Sequence, residues 1–222
     1  VHGCGKEATR MAKGLGLQTT MINGRRVTDA AMLDICTMVY AGLINKRIVS
    51  AMQAKGIDAI GFSGADGDMI RATRRSAAPV DYGFVGDISP LDVKDSLLRN
   101  LLMSGLTPVV CAIMHDGNGQ LLNCNADSVA SAVAIGISRQ AKTDLIFCFE
   151  IPGVLSDVDD ENSLVRVIDT DIFESMKASG SINSGMLPKI DNAMHALQLG
   201  VSEVYIKSAA NLLDALGTLV VL

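Results

Sequence analysis

The chain has 222 residues, of which 49% are hydrophobic and 19% charged, and its net charge at pH 7 is −5. This length can bury a sizeable core in one domain or two closely joined lobes, and the core must be aliphatic because Trp is absent and only eight residues are Phe or Tyr. No basic run is longer than Arg25-Arg26 or Arg74-Arg75, so we expect no nucleic-acid partner. No apolar run reaches the roughly 18 residues of a membrane span, and no signal peptide is visible. We therefore expect a cytoplasmic protein without a membrane partner.

The cysteines and histidines do not predict a metal centre. The five cysteines are odd in number and form no CxxC pair, so buried reduced thiols are expected instead of disulfides or a zinc site. The three histidines stand in no metal-binding pattern.

The first predicted elements are a strand end, a helix and a hairpin. Val1–Gly5 reads as a strand running into a glycine turn, with a helix over 6–13 after it. A strand needs several more residues than Val1 supplies, so we expect further residues upstream. The pair Asn23-Gly24 predicts a tight hairpin turn within 21–27.

A long helical region follows. Thr28 or Asp29 is expected to cap it, and it runs to about Ala54 with a break near Gly42. Further predicted strands are 57–62, 69–75, 80–88, 108–114, 144–149, 165–168, 204–207 and 219–222. Further predicted helices are 91–104, 128–138, 172–178 and 189–200, with a last short helix before the final strand. Strands that alternate with helices predict an α/β fold with a largely parallel sheet, whose ligands bind beyond the carboxyl ends of strands.

The segment Asn123-Cys124-Asn125-Ala126-Asp127 stands directly before the apolar helix 128–138. One capping residue is enough for a helix, and this segment carries three polar side chains within five positions. The N-terminus of a helix attracts anions through its N–H groups and its dipole. The segment therefore predicts an anion-binding site. Lys189, at the start of a later helix, also calls for an anion, because a cation there opposes the dipole.

Other functional motifs are weak or absent. Gly3-x-Gly5-x-x-Ala8 fits the dinucleotide fingerprint and leaves an NAD-dependent oxidoreductase open, but Asp29 stands at an apparent helix cap and not at the end of a second strand. The chain contains neither a P-loop motif nor the HRD motif of protein kinases. His115-Asp116 would suggest a base with its orienting acid, but adjacent side chains seldom face one another and no G-x-S-x-G motif accompanies them. The pair is therefore interpreted as part of a turn.

Several motifs, taken in order, resemble those of one family. They are Val1-His2-Gly3-Cys4-Gly5, Asn23-Gly24-Arg25-Arg26-Val27-Thr28, Tyr82 to Asp87, Asn123 to Asp127, Gly185-Met186-x-x-Lys189 and Gly217-Thr218. Together they resemble the motif series of the N-acetylglutamate kinases, within the amino acid kinase family, across essentially the whole chain.

The resemblance implies a three-layer α/β/α sandwich of the amino acid kinase, or carbamate kinase-like, type. It implies an N-terminal lobe over 1–115 for the acylated amino acid and for dimerisation, and a C-terminal lobe over 116–222 for ATP. The implied reaction is ATP-dependent phosphorylation of the γ-carboxylate of an N-acyl-L-glutamate, the second step of arginine biosynthesis, with Mg²⁺ held mainly by the nucleotide phosphates. A homodimer through the helix near 29–54 is also implied.

The resemblance also implies residue roles. Lys189 would neutralise the phosphoryl group in transfer, and Asp127 would orient the catalytic lysines. The implied substrate-binding residues are Cys4, Gly5, Arg26 and Asn123. The implied nucleotide-binding residues are Glu150, Ile151, Pro152, Gly153, Val154, Leu155, Ser181, Ile182, Asn183, Gly185 and Met186.

The chain departs from the family pattern at several places, and these keep alternatives open. The Lys-x-Gly-Gly motif of the family's first strand is not in this sequence, which keeps a non-catalytic sensor of ATP and the amino acid open. Cys4 stands where a third glycine is usual, and Glu150 and Pro152 replace a more usual Asp and small residue. A different acyl group, such as succinyl, is therefore an alternative to acetyl.

Overall fold

A computed structural model describes residues 1–157, 159–160, 162–180 and 186–222. The chain divides into two compact units, Val1–Gly136 and Ile137–Leu222. This boundary lies later than the lobe boundary predicted after residue 115. The reason is a hairpin in which Ile113–His115 pairs with Leu121–Asn123, because it keeps the residues after 115 with the first unit.

The first unit contains the following elements within the described residues. Its α-helices are α1 (Gly5–Gly14), α2 (Ala30–Thr37), α3 (Asn45–Gln53), α4 (Asp95–Met103) and α5 (Ala126–Ser138), the last of which runs past the boundary. Its strands are β1 (Met21–Ile22), β2 (Arg25–Arg26), β3 (Ala59–Phe62), β4 (Thr73–Arg74), β5 (Gly86–Asp87), β6 (Thr107–Val110), β7 (Ile113–His115) and β8 (Leu121–Asn123).

The parallel pair β3 and β6 joins two segments that are distant in sequence. Ala59 pairs with Thr107, and Phe62 pairs with Val110. Beyond the end of β6, Cys111 forms a parallel bridge with His2. The N-terminal segment therefore lies beside the continuation of β6, which places Gly3 to Gly5 beyond the end of this bridge.

The hairpin predicted at Asn23-Gly24 is confirmed. β1 and β2 are antiparallel, and both turn residues have positive φ, 49° at Asn23 and 73° at Gly24. Two consecutive positive φ values are those of the tight turns that join twisted antiparallel strands. The turn brings Arg25 and Arg26 back along β1.

The long helical region begins at its predicted cap. The Asp29 carboxylate accepts a hydrogen bond from the Met32 N–H at 2.8 Å. The predicted break near Gly42 is a π-helical segment, Met38–Ile44, that joins α2 to α3, so the chain stays helical from one to the other. Ile35, Cys36 and Val39 are buried along it, so this helical region contributes to the core of the first unit.

Three predicted elements differ from the structure. The predicted helix 91–104 is a 3-10 turn, Pro90–Asp92, followed by α4, because Val93 between them has extended backbone angles. The predicted strand 108–114 is divided into β6 and β7. The predicted hairpin of 69–75 with 80–88 pairs only through β4 and β5.

The second unit, within the described residues, has α6 (Thr170–Ser179), α7 (Leu187–Gln198), β9 (Asp144–Phe149), β10 (Val167–Ile168), β11 (Glu203–Ser208) and β12 (Thr218–Val220). The strand order is β10-β12-β11-β9. β9 and β11 run parallel from the pair Asp144–Glu203 to the pair Phe149–Ser208, and β10 runs parallel to β12. β12 is antiparallel to β11.

One face of this sheet is the core of the second unit. Leu145 and Phe147 on β9 and Val204 and Ile206 on β11 are all buried on it. Parallel strands alternating with helices confirm the predicted α/β class. Among the described residues, no helix combines the length and the apolar character needed to cross a membrane.

Candidate functional site

The first unit contains a cavity of about 250 Å³ that includes all four predicted substrate-binding residues. It is lined by Gly3, Cys4, Gly5, Met21, Gly24, Arg25, Arg26, Tyr40, Val85, Asn123, Cys124, Asn125 and Ala126. The structure therefore brings together three segments that are far apart in sequence: the glycine turn, the hairpin, and the start of α5.

Two helix N-termini reach this cavity. Gly5 begins α1, whose N-cap residue Cys4 makes no side-chain capping hydrogen bond. Ala126 begins α5, and a β-carbon added to Gly3 would lie 3.3 Å from the Ala126 Cβ. The absence of a side chain at Gly3 thus lets the two helix starts approach each other. Backbone N–H groups and two helix dipoles favour negative charge at this wall.

Arg26 is held in a fixed orientation at the same wall. Its Nη2 donates hydrogen bonds to the Gly5 carbonyl oxygen at 2.9 Å and to the Thr9 Oγ1 at 2.8 Å. These contacts attach the guanidinium to the start of α1. Since the residues that line the cavity, all of them described, include no Asp or Glu, the positive charge is not neutralised within the lining.

Asn123 also lines the cavity. It is buried, and its Nδ2 donates to the Oγ1 of the fully buried Thr28 at 3.0 Å. Its backbone N–H also donates to the Phe84 carbonyl oxygen at 2.9 Å. The side-chain amide is therefore fixed by residues that follow the hairpin, which couples Asn123 to the segment that carries Arg26.

The three polar residues at the start of α5 have different positions. Asn125 is the cap, because its Oδ1 accepts from the Ser128 N–H at 3.1 Å. Asn123 lies on β8, and Asp127 is the half-buried second residue of α5. A carboxylate in the first helical turn is stabilised by the dipole. Asn125 alone thus supplies the cap, so Asn123 and Asp127 are not needed for capping. This agrees with the sequence, which has more polar side chains here than one cap requires.

The cavity contains groups that stay neutral at physiological pH. Burial raises the pKa of the Cys124 thiol to about 12 and raises that of the Tyr40 hydroxyl. Neither group is a nucleophile or a base near pH 7, and the lining residues include no histidine. The cavity suits binding of an anion whose reactive group is already ionised.

The second unit carries Lys189. Met186 is the N-cap residue of α7, and Lys189 lies in its first turn, with its Nζ 4.1 Å from the centroid of the Phe149 ring. Phe149 is the last residue of β9, so the lysine lies at the carboxyl end of that strand. Ligands of α/β proteins bind at such ends.

The predicted nucleotide loop, residues 150–155, follows β9. A β-carbon at Gly153 would lie 2.6 Å from the Thr218 Oγ1, so only glycine fits there without displacement. The Thr218 hydroxyl accepts from the Val154 N–H at 2.8 Å and donates to the Val165 carbonyl oxygen at 2.7 Å. The Gly217-Thr218 motif therefore attaches this loop to the sheet.

A second cavity, of about 530 Å³, lies next to this loop. It is lined by Glu150, Pro152, Asn162, Leu164, Arg166, Ser208, Asn211 and Leu216. Glu150 and Pro152 were predicted from the sequence, whereas Arg166, Ser208 and Asn211 were not. Ser208 ends β11 and Asn211 follows it, so the strand-end rule could have found both; Arg166 has no comparable sequence signal.

Other predicted nucleotide residues are placed differently or lie outside the description. Val154 and Leu155 are buried, and Ile151 is exposed; these three do not line the second cavity. Ser181, Ile182, Asn183 and Gly185 lie outside the described residues. Asp127 belongs to the first unit and Lys189 to the second. Their joint action at one phosphoryl group stays a prediction.

Two alternative interpretations lose their support in the structure. Asp29 caps α2, so it is not the acid that a dinucleotide fingerprint requires after a second strand. Asp116 accepts hydrogen bonds from the N–H groups of Asn118 and Gln120 and forms the predicted turn. The Nε2 of His115 lies 3.0 Å from Asp68 and not beside Asp116, so the adjacent pair is not a base with its orienting acid.

Comparisons with known proteins agree with these features. The profile of the amino acid kinase family matches residues 1–208. The chain is 46% identical over 215 residues to the acetylglutamate kinase of Cytophaga hutchinsonii, an alignment that covers 96% of this chain and 81% of that protein. It is 45% identical over 218 residues to the acetylglutamate kinase of Bacteroides thetaiotaomicron, covering 98% and 84%.

A crystal structure of a Streptococcus mutans protein superposes with a TM-score of 0.83 at 24% identity, over 97% of this chain and 82% of that one. A solved structure of the Giardia carbamate kinase superposes with a TM-score of 0.57 at 12% identity, over 86% of this chain and 73% of that one, which confirms the predicted carbamate kinase-like fold. Since the family profile and both relatives cover nearly the whole chain, the chain belongs to the amino acid kinase family.

Proposed function

We propose that the protein transfers the γ-phosphoryl group of ATP to the γ-carboxylate of an N-acyl-L-glutamate, with N-acetyl-L-glutamate as the first candidate. The observation that carries the proposal is the cavity of the first unit, where Arg26, Asn123 and the start of α1 surround a space whose lining has no carboxylate. The acetylglutamate kinases to which the chain is 45% and 46% identical support the same reaction. We place it in arginine biosynthesis.

The lining matches the substrate group by group. The Arg26 guanidinium offers planar N–H donors of the kind that bind carboxylates. The amide of Asn123 would bind the α-carboxylate and amide end. The N–H groups at Cys4 and Gly5 would contact the acyl group.

The reaction needs no general base. A γ-carboxylate has an ordinary pKa of about 4.3, so it is already ionised at pH 7. Its oxygen attacks the γ-phosphorus, the bond between that phosphorus and the bridging oxygen of ADP breaks, and ADP leaves with the bond electrons. The products are an acyl phosphate and ADP. The main barrier is the repulsion between two anions, which positive charge and N–H groups lower.

The second unit would bind ATP. Lys189 would lie against the transferred phosphoryl group, and Asp127 would orient the lysine by its opposite charge. Residues 150–155 with Met186 would hold the nucleotide, together with Ser181, Ile182, Asn183 and Gly185. Arg166, Ser208 and Asn211 extend the candidate set, because they line the cavity beside the loop.

Magnesium is expected to reach the protein with ATP. Mg²⁺ commonly keeps several waters and binds substrate phosphates with few protein ligands. The described residues contain no cluster of three or more His, Cys, Asp or Glu side chains that could hold a metal ion. When bound, the ion would neutralise charge on the phosphate oxygens.

The test is the dependence of ADP release on the acceptor. The full-length protein with ATP and Mg²⁺ is assayed with N-acetyl-L-glutamate, aspartate, carbamate or UMP, and hydroxylamine traps any acyl phosphate. We expect ADP and hydroxamate only with the N-acylated glutamate. Binding of both ligands without ADP release would overturn the proposal in favour of a non-catalytic sensor.

N-succinyl-L-glutamate is the second candidate acceptor. Arg25 lines the same cavity as Arg26 and is exposed, and the lining has no acidic side chain to compete with a further substrate carboxylate. A succinyl group carries such a carboxylate, whereas an acetyl group does not. The ratio of kcat/KM for the two acyl substrates decides between them.

We also propose a homodimer through the helical region near residues 29–54, as the family resemblance implies, and a cytoplasmic location. Sedimentation of the purified protein tests the first. A monomer at micromolar concentration would contradict it.

A further inference from the structure

Lys189 makes a close contact with an aromatic ring. Its Nζ lies 4.1 Å from the centroid of the Phe149 ring. The other cation–ring contacts among the described residues have distances from 4.7 to 5.7 Å, so this is the shortest of them. An ammonium within about 6 Å of a ring centroid is attracted to the negative face of the ring.

The ring of Phe149 is fixed from the core of the second unit. Phe147 precedes it on the same face of β9 and is only 4% exposed. The two rings are stacked, with centroids 6.5 Å apart and planes at 19°. The half-buried Phe149 ring is thus supported by a buried ring on one side and contacts the lysine ammonium at its own face.

The position of Lys189 on its helix makes such a contact valuable. It lies in the first turn of α7, where the positive end of the helix dipole opposes a cation. The face of an aromatic ring attracts a cation through its quadrupole and offsets part of this repulsion. The contact therefore favours an ammonium at a place where the backbone disfavours one.

A ring and a carboxylate act differently on a lysine that binds phosphate. A carboxylate cancels the positive charge and competes for the ammonium hydrogens. A phenyl ring carries no net charge and accepts no strong hydrogen bond, so its contact does not itself cancel the charge of the ammonium. The ring therefore helps to fix the position of the ammonium.

We propose that Phe149 is a positioning residue for Lys189, which holds the ammonium where the phosphoryl group of ATP is transferred. This inference rests on the proposed function, because it requires Lys189 to contact that group. Phe149 itself would touch neither the acceptor nor the reacting atoms.

The first test compares two substitutions of Phe149 in the full-length protein. Phe149→Leu keeps an apolar side chain and removes the ring face; we expect kcat to fall about ten-fold with KM for N-acetyl-L-glutamate unchanged. Phe149→Tyr keeps the ring, and we expect kcat within about two-fold of the wild type. Wild-type kcat in Phe149→Leu, or an equal loss in both variants, would overturn the inference.

Phe173→Leu is the matched control. It removes a buried ring of the second unit whose cation contact is with Lys177 and not with Lys189. We expect a lower Tm and a kcat close to that of the wild type. A kcat loss equal to that of Phe149→Leu would show a general packing effect and would count against positioning.

A double-mutant cycle tests whether Phe149 acts through Lys189. In a Lys189→Met background, we expect Phe149→Leu to cause no further loss of the residual kcat, because the partner is already absent. Two losses that multiply would mean independent roles and would overturn the inference. Unimpaired turnover in the Lys189→Met single variant would refute the proposed role of the lysine. Loss of turnover in Lys189→Met, together with wild-type turnover in Phe149→Leu, would refute only the positioning role of Phe149.

Discussion

At the scale of single residues, each unit holds a cationic candidate residue in a fixed position. Arg26 is held by a backbone carbonyl and a hydroxyl at the start of α1. Lys189 is held against the ring of Phe149. These oxygen acceptors and the ring orient a cation and carry no formal negative charge themselves. Anions that repel each other in water can be brought together by such preorganised groups.

Arg26→Lys should weaken acceptor binding. Lysine carries the same charge but lacks the planar fork that binds a carboxylate through two parallel hydrogen bonds. Loss of about 1.5–3 kcal/mol from a charged hydrogen bond corresponds to a rise in KM for N-acetyl-L-glutamate of about 10- to 100-fold, with KM for ATP unchanged. Steady-state kinetics measure both values.

Arg99→Lys is the matched control for this substitution, because Arg99 is an exposed residue of α4. Its KM values should equal those of the wild type. An unchanged acceptor KM in Arg26→Lys would remove Arg26 from the candidate site.

Lys189→Met and Asp127→Asn should each lower kcat by about 10²- to 10³-fold, the usual loss when one group that stabilises transition-state charge is removed. Folding should be retained, since both residues are only half-buried and lie in the first turn of a helix. Steady-state kinetics measure the loss of kcat, and circular dichroism measures whether the fold is retained. Lys177→Met, on the exposed side of α6, is the control and should retain full turnover.

At the scale of elements, buried hydroxyl groups hold two segments that carry candidate binding residues. Thr218 on β12 holds the loop 150–155 through the Val154 N–H, and Thr28 holds Asn123 on β8. Both threonines are fully buried. A buried hydroxyl with satisfied partners fixes a loop more firmly than exposed contacts do.

Gly153→Ala should disturb the nucleotide loop. The added methyl would lie 2.6 Å from the Thr218 Oγ1 and 2.7 Å from the Leu164 Cδ1, closer than packed atoms approach. We expect a loss of stability of about 1–3 kcal/mol, typical of overpacking, together with a higher KM for ATP. Chemical unfolding and kinetics measure these effects.

Gly14→Ala provides the comparison, because an added β-carbon there would have no heavy atom within 4 Å. Its stability should equal or exceed that of the wild type, since alanine is the better helix former. Equal stability of the two variants would mean that the Gly153 contact relaxes without cost.

At the scale of the whole molecule, the core is built from aliphatic side chains and contains thiols and a phenol that burial keeps neutral. Burial raises the pKa of Cys111 to about 11 and of Cys124 to about 12, and it raises the pKa of Cys36 and Tyr40. Such thiols are inert packing groups and not reactive ones. They also make the folded state sensitive to alkaline pH.

Stability should fall as pH rises above the ordinary thiol pKa of about 8.5. The folded state keeps protons that the unfolded state has lost, so this loss continues until pH reaches the raised pKa values of 11 to 12. Each group contributes at most about 1.4 kcal/mol per pH unit. Urea unfolding at pH 7.5 and pH 10 measures the difference.

In Cys111→Ala, the free energy of unfolding should decrease less between pH 7.5 and pH 10, since one buried thiol with a raised pKa has been removed. Cys148→Ala, at an exposed position of β9, should decrease as the wild type does. Identical decreases in all three proteins would contradict the assignment of the effect to buried thiols.

Local patterns in the sequence were sufficient for features that depend on neighbouring residues. The Asn23-Gly24 turn and the Asp29 cap are examples, because each is decided within about four residues of chain. The excess of polar side chains before α5 likewise indicated a site, and the ordered motifs identified the family. Element boundaries were less accurate where the backbone changes direction, as at Val93.

Only the tertiary structure decided which distant residues meet. The contact of Thr218 with the Val154 N–H spans 64 positions, and that of Asn123 with Thr28 spans 95. Periodicity and capping rules act over a few residues and carry no information about such pairs, which form when strands and helices pack together. For the same reason, the cavity around Arg26 and the ring beneath Lys189 could be found only after the chain was folded.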